Sequence, residues 1–361
     1  MNKMITITGD RDAYMKAMFS KLLKEDVISA VFSLRRLKNG VVDYGLTSCL
    51  EDLENIEPFY PLMPANAGQL LSRFTPLKKP LAAIIKPCEF RAFVEMAKRQ
   101  QGSLDNFLIF TYGCGGVYPL LDNVHHRIDE KLADYWQAWN DQDIPAGVRE
   151  SCTGCEHLYA EESDVYLNIT AKSELEIYVQ TEKAAELLSN HLKERKDGVF
   201  NAAVLEGLIQ KRAAAKEKMF AAVDTSESGL DGLIDIFGRC IGCHGCNSVC
   251  PICYCVLCDF DSFNYDYNRP ILEKELEQKG ALRLPPDTLF FHLGRLSHMS
   301  FSCVGCGMCS DVCPADIPVA SVFKRTGEKT AAMFNFIAGR SVKEEIPVMI
   351  YKEEEFPELG E

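Results

Sequence analysis

The sequence predicts an α/β domain over residues 1–222, followed by a small cysteine-rich module over residues 233–320. Three observations support this fold class. Short apolar segments alternate with amphipathic ones in the N-terminal half, which is typical of strands and helices that share a sheet. Two cysteine runs of identical spacing lie in the C-terminal half. A polar, glycine-containing stretch at residues 223–232 predicts a linker between the two parts.

The N-terminal half predicts its elements in strand–helix order. Strands are predicted at residues 27–35, 81–85, 107–111, 165–169 and 175–179. Helices are predicted at residues 12–24, 90–99, 128–139, 182–192 and 206–220. The last of these is charged and alanine-rich, so we expect a solvated connector. After the cysteine module, residues 321–361 predict a helix, with helical character over 316–338, and then an acidic, mobile tail.

Composition limits the class of protein. The chain has 361 residues, of which 47% are hydrophobic and 25% charged, as in ordinary globular proteins. Its 39 basic and 52 acidic residues give a net charge of −13, so nucleic acid is not an expected partner. The sequence contains no run of 18 apolar residues, so it predicts no membrane-spanning helix. Sixteen cysteines without a signal peptide indicate metal ligation in a cytoplasmic protein, not disulfides.

The two cysteine runs carry the clearest chemical signal. The first consists of Cys240, Cys243, Cys246 and Cys250, and the second of Cys303, Cys306, Cys309 and Cys313. Both read C-x2-C-x2-C-x3-C-P, the spacing of bacterial two-cluster ferredoxins, in which the fourth cysteine binds the other cluster. We therefore predict one 4Fe-4S cluster on Cys240, Cys243, Cys246 and Cys313, and a second on Cys303, Cys306, Cys309 and Cys250. Paired structural zinc sites are the alternative, but they need only two separated C-x2-C pairs.

Four further cysteines lie in loops of the N-terminal half. Cys88 and Cys114 each follow a predicted strand, and Cys152 and Cys155 form a C-x2-C pair. Loops after parallel strands meet at one edge of a sheet, where ligands commonly bind. The four thiolates therefore predict a third 4Fe-4S cluster. A four-thiolate zinc site is one alternative, and small buried cysteines without metal are another.

The remaining cysteines and the histidines give weaker signals. Cys253, Cys255 and Cys258 follow the first run directly and form a possible additional metal site, with Cys49 as a formal fourth ligand; they could equally shield the first cluster. His157 and His244 lie beside ligand cysteines, so each either hydrogen-bonds a cluster sulfur or is plainly exposed. The pair His125–His126 is interpreted as a surface loop.

Several N-terminal motifs resemble a known family. Residues 58–68 (PFYPLMPANAG), 86–92 (KPCEFRA), the Gly-Cys-Gly loop at 113–115 and residues 149–155 (RESCTGC) resemble the beta subunits of coenzyme F420-reducing hydrogenases and F420-linked formate dehydrogenases. Residues 250–258 (CPICYCVLC) are similar to formate dehydrogenase beta subunits and their bacterial relatives. The resemblance spans roughly residues 10–320. Here the ferredoxin-like part follows the N-terminal domain, whereas it precedes it in archaeal members.

The resemblance implies a flavin, FAD, in the N-terminal domain, with the third cluster nearest to it. Residues implied near the flavin or its substrate pocket are Asn66, Ala67, Lys86, Gly115 and Gly116. No G-x-G-x-x-G fingerprint is present, so the flavin is implied by the resemblance alone. No catalytic residue is assigned.

The sequence thus predicts an oxidoreductase subunit, an iron–sulfur flavoprotein of the cytoplasm. It would exchange electrons between a soluble two-electron carrier, a deazaflavin or NAD(P)H, and clusters leading to a partner. The expected partner subunits belong to a hydrogenase, formate dehydrogenase or heterodisulfide-reductase-like complex. The alternative is a flavin-free, multi-cluster conduit subunit with no catalytic site of its own.

Overall fold

A computed structural model describes residues 3–170, 174–192, 196–226, 228–262, 269–280 and 288–350. Eight strands form one mixed sheet in the order β3-β2-β4-β5-β6-β7-β1-β8. The strands are β1 Lys3–Thr8, β2 Val31–Arg36, β3 Val42–Thr47, β4 Leu81–Ile85, β5 Phe107–Tyr112, β6 Val165–Ile169, β7 Glu174–Val179 and β8 Lys196–Asp197. The acidic tail predicted for the C-terminal end lies outside the described residues.

The centre of the sheet is parallel and its edges are antiparallel. β2, β4, β5 and β6 pair in parallel, whereas β3, β7, β1 and β8 pair antiparallel with their neighbours. Every residue of β4, β5 and β6 is buried. Parallel strands covered on both faces require such continuous apolar sequences, which is why 81–85 and 165–169 were predicted with their observed bounds.

Both faces of the sheet carry a core. Ala82 and Ile84 pack on one face with Phe19 and Leu22 of helix α1 (Arg11–Lys24). Ala83 and Ile85 pack on the other face with residues of helices α2 (Ala67–Ser72) and α3 (Pro87–Lys98). The alternation along β4 follows from the period of two in a strand.

Fourteen α-helices complete the described chain. In the N-terminal part they are α1 Arg11–Lys24, α2 Ala67–Ser72, α3 Pro87–Lys98, α4 Leu120–Val124, α5 Leu132–Asn140, α6 Glu150–Thr153, α7 Glu182–Leu187 and α8 Glu206–Ala221. In the C-terminal part they are α9 Gly229–Phe237, α10 Gly245–Ser248, α11 Arg269–Lys279, α12 Thr288–Met299, α13 Met308–Asp311 and α14 Val319–Ala332. None of the helices in these described ranges is long and apolar enough to cross a membrane.

Helix α8 differs from the solvated connector predicted for residues 206–220. Leu208, Arg212 and Met219 are buried, and Arg212 is only 1% exposed. The buried residues are spaced along one side of the helix, while its many charges face solvent and dominate the sequence pattern. The helix is therefore a packed element of the domain.

Candidate iron–sulfur centres

Two N-terminal cysteines follow neighbouring strands. Cys88 lies in the first turn of α3, directly after β4, and Cys114 lies two residues after the end of β5. Because β4 and β5 are paired and parallel, both cysteines lie at the same edge of the sheet. The amide of Cys114 donates to the carbonyl of Leu158 at 3.1 Å, which holds its loop against the segment after Cys155.

A single cavity collects the four N-terminal cysteines. It is lined by Cys88, Cys114, Cys152 and Cys155, a group called here the N-terminal cysteine site. Gly116 permits the close approach of two of the loops, because a Cβ at this residue would lie 3.0 Å from the Cβ of Cys152. Its φ of +112° also favours glycine.

Buried arginines hold the cysteine loops in place. The Arg212 guanidinium donates to the carbonyl of Gly115 at 2.7 Å and to that of Cys152 at 3.0 Å. It thereby fastens two cysteine loops to α8. Arg149, directly before α6, forms an ion pair with Asp311 of α13 at 2.7 Å, with both side chains buried. This pair ties the N-terminal cysteine site to the second cysteine run.

The protein environment disfavours free thiolates at these sites. Burial raises the pKa of Cys88 well above its ordinary value, and it raises the pKa of Cys114 to about 12. Burial likewise raises the pKa of Cys306 to about 12. Such thiols lose their protons readily only to a metal that stabilises the thiolate. The donor set therefore fits thiolate-bound iron.

The cysteines of the second run share a cavity with the fourth cysteine of the first run. This cavity is lined by Cys250, Cys303, Cys306 and Cys309, the ligand set predicted for one cluster, and is called here the inner site. Gly305 and Cys306 line the inner site and the N-terminal cysteine site alike. One short peptide segment therefore separates the two cavities.

The other predicted ligand set lies around α10 and α13. Helices α10 and α13 pack against each other, which brings the first run close to the end of the second, and burial raises the pKa of Cys246 to about 11. Cys243 is exposed, whereas Cys246 is buried. This group of four, Cys240, Cys243, Cys246 and Cys313, is called here the outer site.

The cysteines after the first run lie apart from one another. Cys253 packs with its Sγ 3.4 Å from the Sδ of Met299, while Cys255 is exposed and the next two residues are each 96% exposed. Cys49 is also exposed. Within the described ranges, no three Cys, His, Asp or Glu side chains converge tightly enough to hold a single metal ion. Two of the three predicted ligand sets instead line cavities, and a cubane needs such space between its thiolates.

The residues implied near a flavin are all buried. The Asn66 carboxamide oxygen caps α2 by accepting from the amide of Gly68 at 3.0 Å, and the amide of Ala67 donates to Glu89 at 3.1 Å. The Lys86 ammonium lies 3.6 Å from the Glu89 carboxylate and lines the N-terminal cysteine site.

The two glycines of this group have little free space beside them. Tyr135 would lie 2.8 Å from a Cβ at Gly115, and Cys152 occupies the space beside Gly116. These glycines therefore serve contacts within the protein.

The histidines noted in the sequence lie in three different surroundings. His157 lines the N-terminal cysteine site, and its carbonyl accepts from the Cys155 thiol at 3.8 Å. His244 stacks on Phe291, with ring centroids 4.2 Å apart. His125 and His126 are exposed at the end of α4, as predicted.

Comparison with known proteins gives one family match and several relatives. Residues 236–317 match the model of the 4Fe-4S dicluster domain. The F420-dependent formate dehydrogenase subunit beta of Methanocaldococcus jannaschii is 28% identical over 363 residues, covering 90% of this chain and 90% of that protein. The F420-dependent formate dehydrogenase 1 subunit beta of Methanococcus maripaludis is 28% identical over 382 residues, covering 94% and 93%. The chain thus resembles F420-linked beta subunits over nearly its whole length.

These similarities confirm three predictions: the resemblance to F420-linked beta subunits, the oxidoreductase class and the iron–sulfur cofactor. The chain is an iron–sulfur electron-transfer subunit with a 4Fe-4S dicluster domain in its C-terminal part. Among solved structures, a chain of the F420-reducing NiFe hydrogenase complex from Methanosarcina barkeri aligns with a TM-score of 0.44 and 11% identity, covering 64% of this chain and 94% of that one.

Sequence reasoning missed two side chains of α12 that lie beside ligand cysteines. The His292 Nε2 lies 3.4 Å from the Cys240 Sγ, and the Arg295 Nη1 lies 3.1 Å from the Cys246 Sγ. Both residues are buried. Residues three apart lie on the same side of a helix. In the segment between the two cysteine runs, this spacing of His292 and Arg295 is the sequence feature that points to their shared position.

Proposed function

We propose that the chain exchanges electrons between a soluble two-electron carrier, at FAD in the N-terminal domain, and three 4Fe-4S clusters that lead to a partner enzyme. The observation that carries this proposal is the wall of Gly305 and Cys306 that the N-terminal cysteine site and the inner site share. Adjacent cluster sites with one thin wall between them are what stepwise electron transfer requires.

The proposed ligands follow the three groups of cysteines. The N-terminal cluster would be held by Cys88, Cys114, Cys152 and Cys155. The inner cluster would be held by Cys303, Cys306, Cys309 and Cys250, and the outer cluster by Cys240, Cys243, Cys246 and Cys313. Electrons from the N-terminal domain would then reach the inner cluster, held mainly by the second cysteine run, before they reach the outer cluster.

The outer site supports an exit to a partner subunit. Its Cys243 is exposed, and the neighbouring Ile241 is 64% exposed. An exposed ligand beside an apolar side chain fits a docking surface. The relatives are formate dehydrogenase subunits by name, so a formate dehydrogenase-like partner is the first choice, before a hydrogenase or heterodisulfide-reductase-like one.

A flavin would lie beside Lys86 and Asn66. The Nδ2 of Asn66 is buried and has no hydrogen-bond partner among the described residues, so it is a donor available to a bound group. The Lys86 ammonium supplies a buried positive charge at the edge of the N-terminal cysteine site. When bound, a flavin accepts hydride in a two-electron step and releases single electrons to clusters.

A cleft with one more basic than acidic side chain, Arg91, Lys216 and Lys324 against Glu156 and Glu328, supports the approach of an anionic carrier. A cleft of about 360 Å³ is lined by residues that include Arg91, His157, Lys324 and Cys303 of the inner site. The positive charge of Arg91 and then burial lower the pKa of His157 well below its ordinary value, so the imidazole is neutral among cations. NAD(P)H and deazaflavin nucleotides carry phosphate groups that such a cleft attracts.

Anaerobic purification with iron, sulfide, zinc and flavin measured together tests the proposal. We expect about twelve iron atoms per chain, from three clusters of four, and about one FAD. Iron and sulfide without flavin would instead support the conduit subunit. Stoichiometric zinc in place of iron would refute the cluster assignment.

Single cysteine variants test the ligand sets. Cys88→Ala should remove the N-terminal cluster, and Cys243→Ala should remove the outer cluster while leaving the N-terminal domain folded. Cys49→Ala is the matched control and should leave iron content unchanged, because Cys49 is exposed away from every cavity described above. Unchanged iron and unchanged electron paramagnetic resonance (EPR) signals in Cys243→Ala would show its assignment to be wrong.

A further inference from the structure

We propose that Arg295 raises the reduction potentials of both the inner and the outer cluster, so that the ferredoxin-like module holds two electrons at once, one on each cluster. This inference rests on the ligand sets of the proposed function. It gives a role to the segment between the two cysteine runs, which a minimal ferredoxin does not need.

Arg295 reaches both sites from one position on α12. Its Nη1 lies 3.1 Å from the Cys246 Sγ of the outer site, and its Nη2 donates to the Cys246 carbonyl at 3.1 Å. The same side chain lines the cavity of the inner site, beside Cys250 and Cys309. The guanidinium therefore lies between the two proposed clusters.

The charge of Arg295 has no carboxylate partner among the described residues. Its side chain is 3% exposed, and no ion pair joins it to an acid in the ranges the structure describes. The rings of Phe291 and Phe323 flank it at 5.3 and 5.1 Å. A buried cation needs a counter-charge, and thiolate-bound clusters on either side supply negative charge.

Electrostatics then connects this position to the storage of two electrons. Each cluster gains one negative charge when it accepts one electron, and in a low-dielectric interior the first electron opposes the second. A fixed positive charge between the clusters leaves that repulsion unchanged but attracts both electrons, so it favours both reduced forms. Hydrogen bonds to the ligand sulfurs raise the potential further.

The electron count matches the carrier at the other end of the chain. A carrier that gives up hydride supplies two electrons and one proton. One electron goes to each of the two clusters, and the proton is released to water at the carrier site. The module would thus accept the full product of one carrier oxidation.

Redox titration followed by EPR spectroscopy tests this role on the anaerobically purified full chain. In the wild type we expect the two potentials to lie within about a tenfold difference in reduction equilibrium, or about 59 mV, and a spin-coupled signal from the doubly reduced module. In Arg295→Met we expect both clusters to become at least about tenfold harder to reduce, with weaker spin coupling at the same applied potential.

Two further variants separate charge from structure. Arg239→Met removes an exposed cation directly before Cys240 and should leave both potentials nearly unchanged, because solvent screens this charge. Arg295→Lys keeps the charge and should keep each potential within about tenfold of its wild-type value, or about 59 mV. If Arg295→Met fails to assemble clusters, the reduction potentials of the wild type and of Arg295→Lys test the proposal.

Several outcomes would overturn the inference. Unchanged potentials in Arg295→Met with full iron content would do so, as would wild-type potentials that differ by more than about a hundredfold, or about 118 mV. Potentials in Arg295→Lys as low as those of Arg295→Met would have the same meaning. Loss of the expected clusters from the wild type would instead refute the proposed ligand sets, which iron and sulfide analysis detects independently.

Discussion

Replacement of Arg149 by Met should destabilise the connection between the N-terminal domain and the second cysteine run. Arg149 and Asp311 pair at 2.7 Å, with side chains only 3% and 8% exposed. Removing one partner of a buried ion pair costs about 3 to 5 kcal/mol, because the other charge stays buried without compensation. The amide of Leu120 still donates to Asp311 at 3.1 Å, so we expect the lower end, about 3 kcal/mol.

Anaerobic urea unfolding measures this loss with two probes. Both tryptophans, Trp136 and Trp139, lie in the N-terminal domain, so their fluorescence reports that part of the chain, while visible absorbance reports the clusters. The free energy of unfolding follows from the transition midpoint and slope. We expect the two transitions to shift together, since the pair joins the two parts.

Two comparisons make the result decisive. Lys79→Met breaks an exposed pair with Asp26 of similar length, 2.8 Å, and should cost less than about 1 kcal/mol. The double variant Arg149→Met/Asp311→Leu should be more stable than Arg149→Met alone, because no charge is left buried. A double variant that loses the sum of both single effects, or an Arg149→Met variant no weaker than Lys79→Met, would refute the reasoning.

Three other predictions concern the fold, pH and iron content. Gly68→Ala should lower the free energy of unfolding by about 1 to 3 kcal/mol, because the new Cβ would lie 2.6 Å from the backbone of α3. Gly207→Ala is the control: its Cβ would meet only a flexible side chain at 3.3 Å, so the free energy of unfolding should change by less than about 0.5 kcal/mol. Asp129 is partly buried, which raises its pKa, but hydrogen bonds from Arg36 and Tyr60 outweigh this effect and hold the pKa below 3.8. Its contribution to stability is therefore present above about pH 4 and lost as the pH falls through the folded-state pKa, so Asp129→Asn should flatten the acid side of the stability profile; an unchanged profile would contradict this. Cys88→Ala should lower iron by about four atoms per chain, and a smaller loss, measured against Cys49→Ala, would argue against an N-terminal cluster.

The parts of the fold that sequence predicts are those with a strong local signal. The buried strand β4 reads as a continuous apolar run with polar boundaries, and β6 is apolar except for Asn168, so the bounds of both were predicted without error. β1 and β8 were not predicted, because β1 pairs with β7 across more than 160 residues and no local pattern specifies that partner. β8 has only two residues, which is too short for a pattern.

The same contrast holds for the sites. Cysteine spacing predicted which thiols would share the inner cavity, because a cubane fixes the spacing of its ligands. It did not predict Arg212, which lies on a helix that reads as solvated, or Arg295, whose helix carries no cysteine. Their roles depend on contact with cysteine loops that are distant in the chain. A single sequence carries no signal for such a contact.

The shared wall of Gly305 and Cys306 also bears on dynamics. Two cavities with a common peptide between them keep a fixed separation, and the buried Arg149–Asp311 pair braces the same junction. Electron transfer across this wall should therefore need no swinging domain or search for a docked geometry. Its rate should be insensitive to solvent viscosity, and any slow, viscosity-dependent step should occur at the two ends of the path, where carrier and partner arrive.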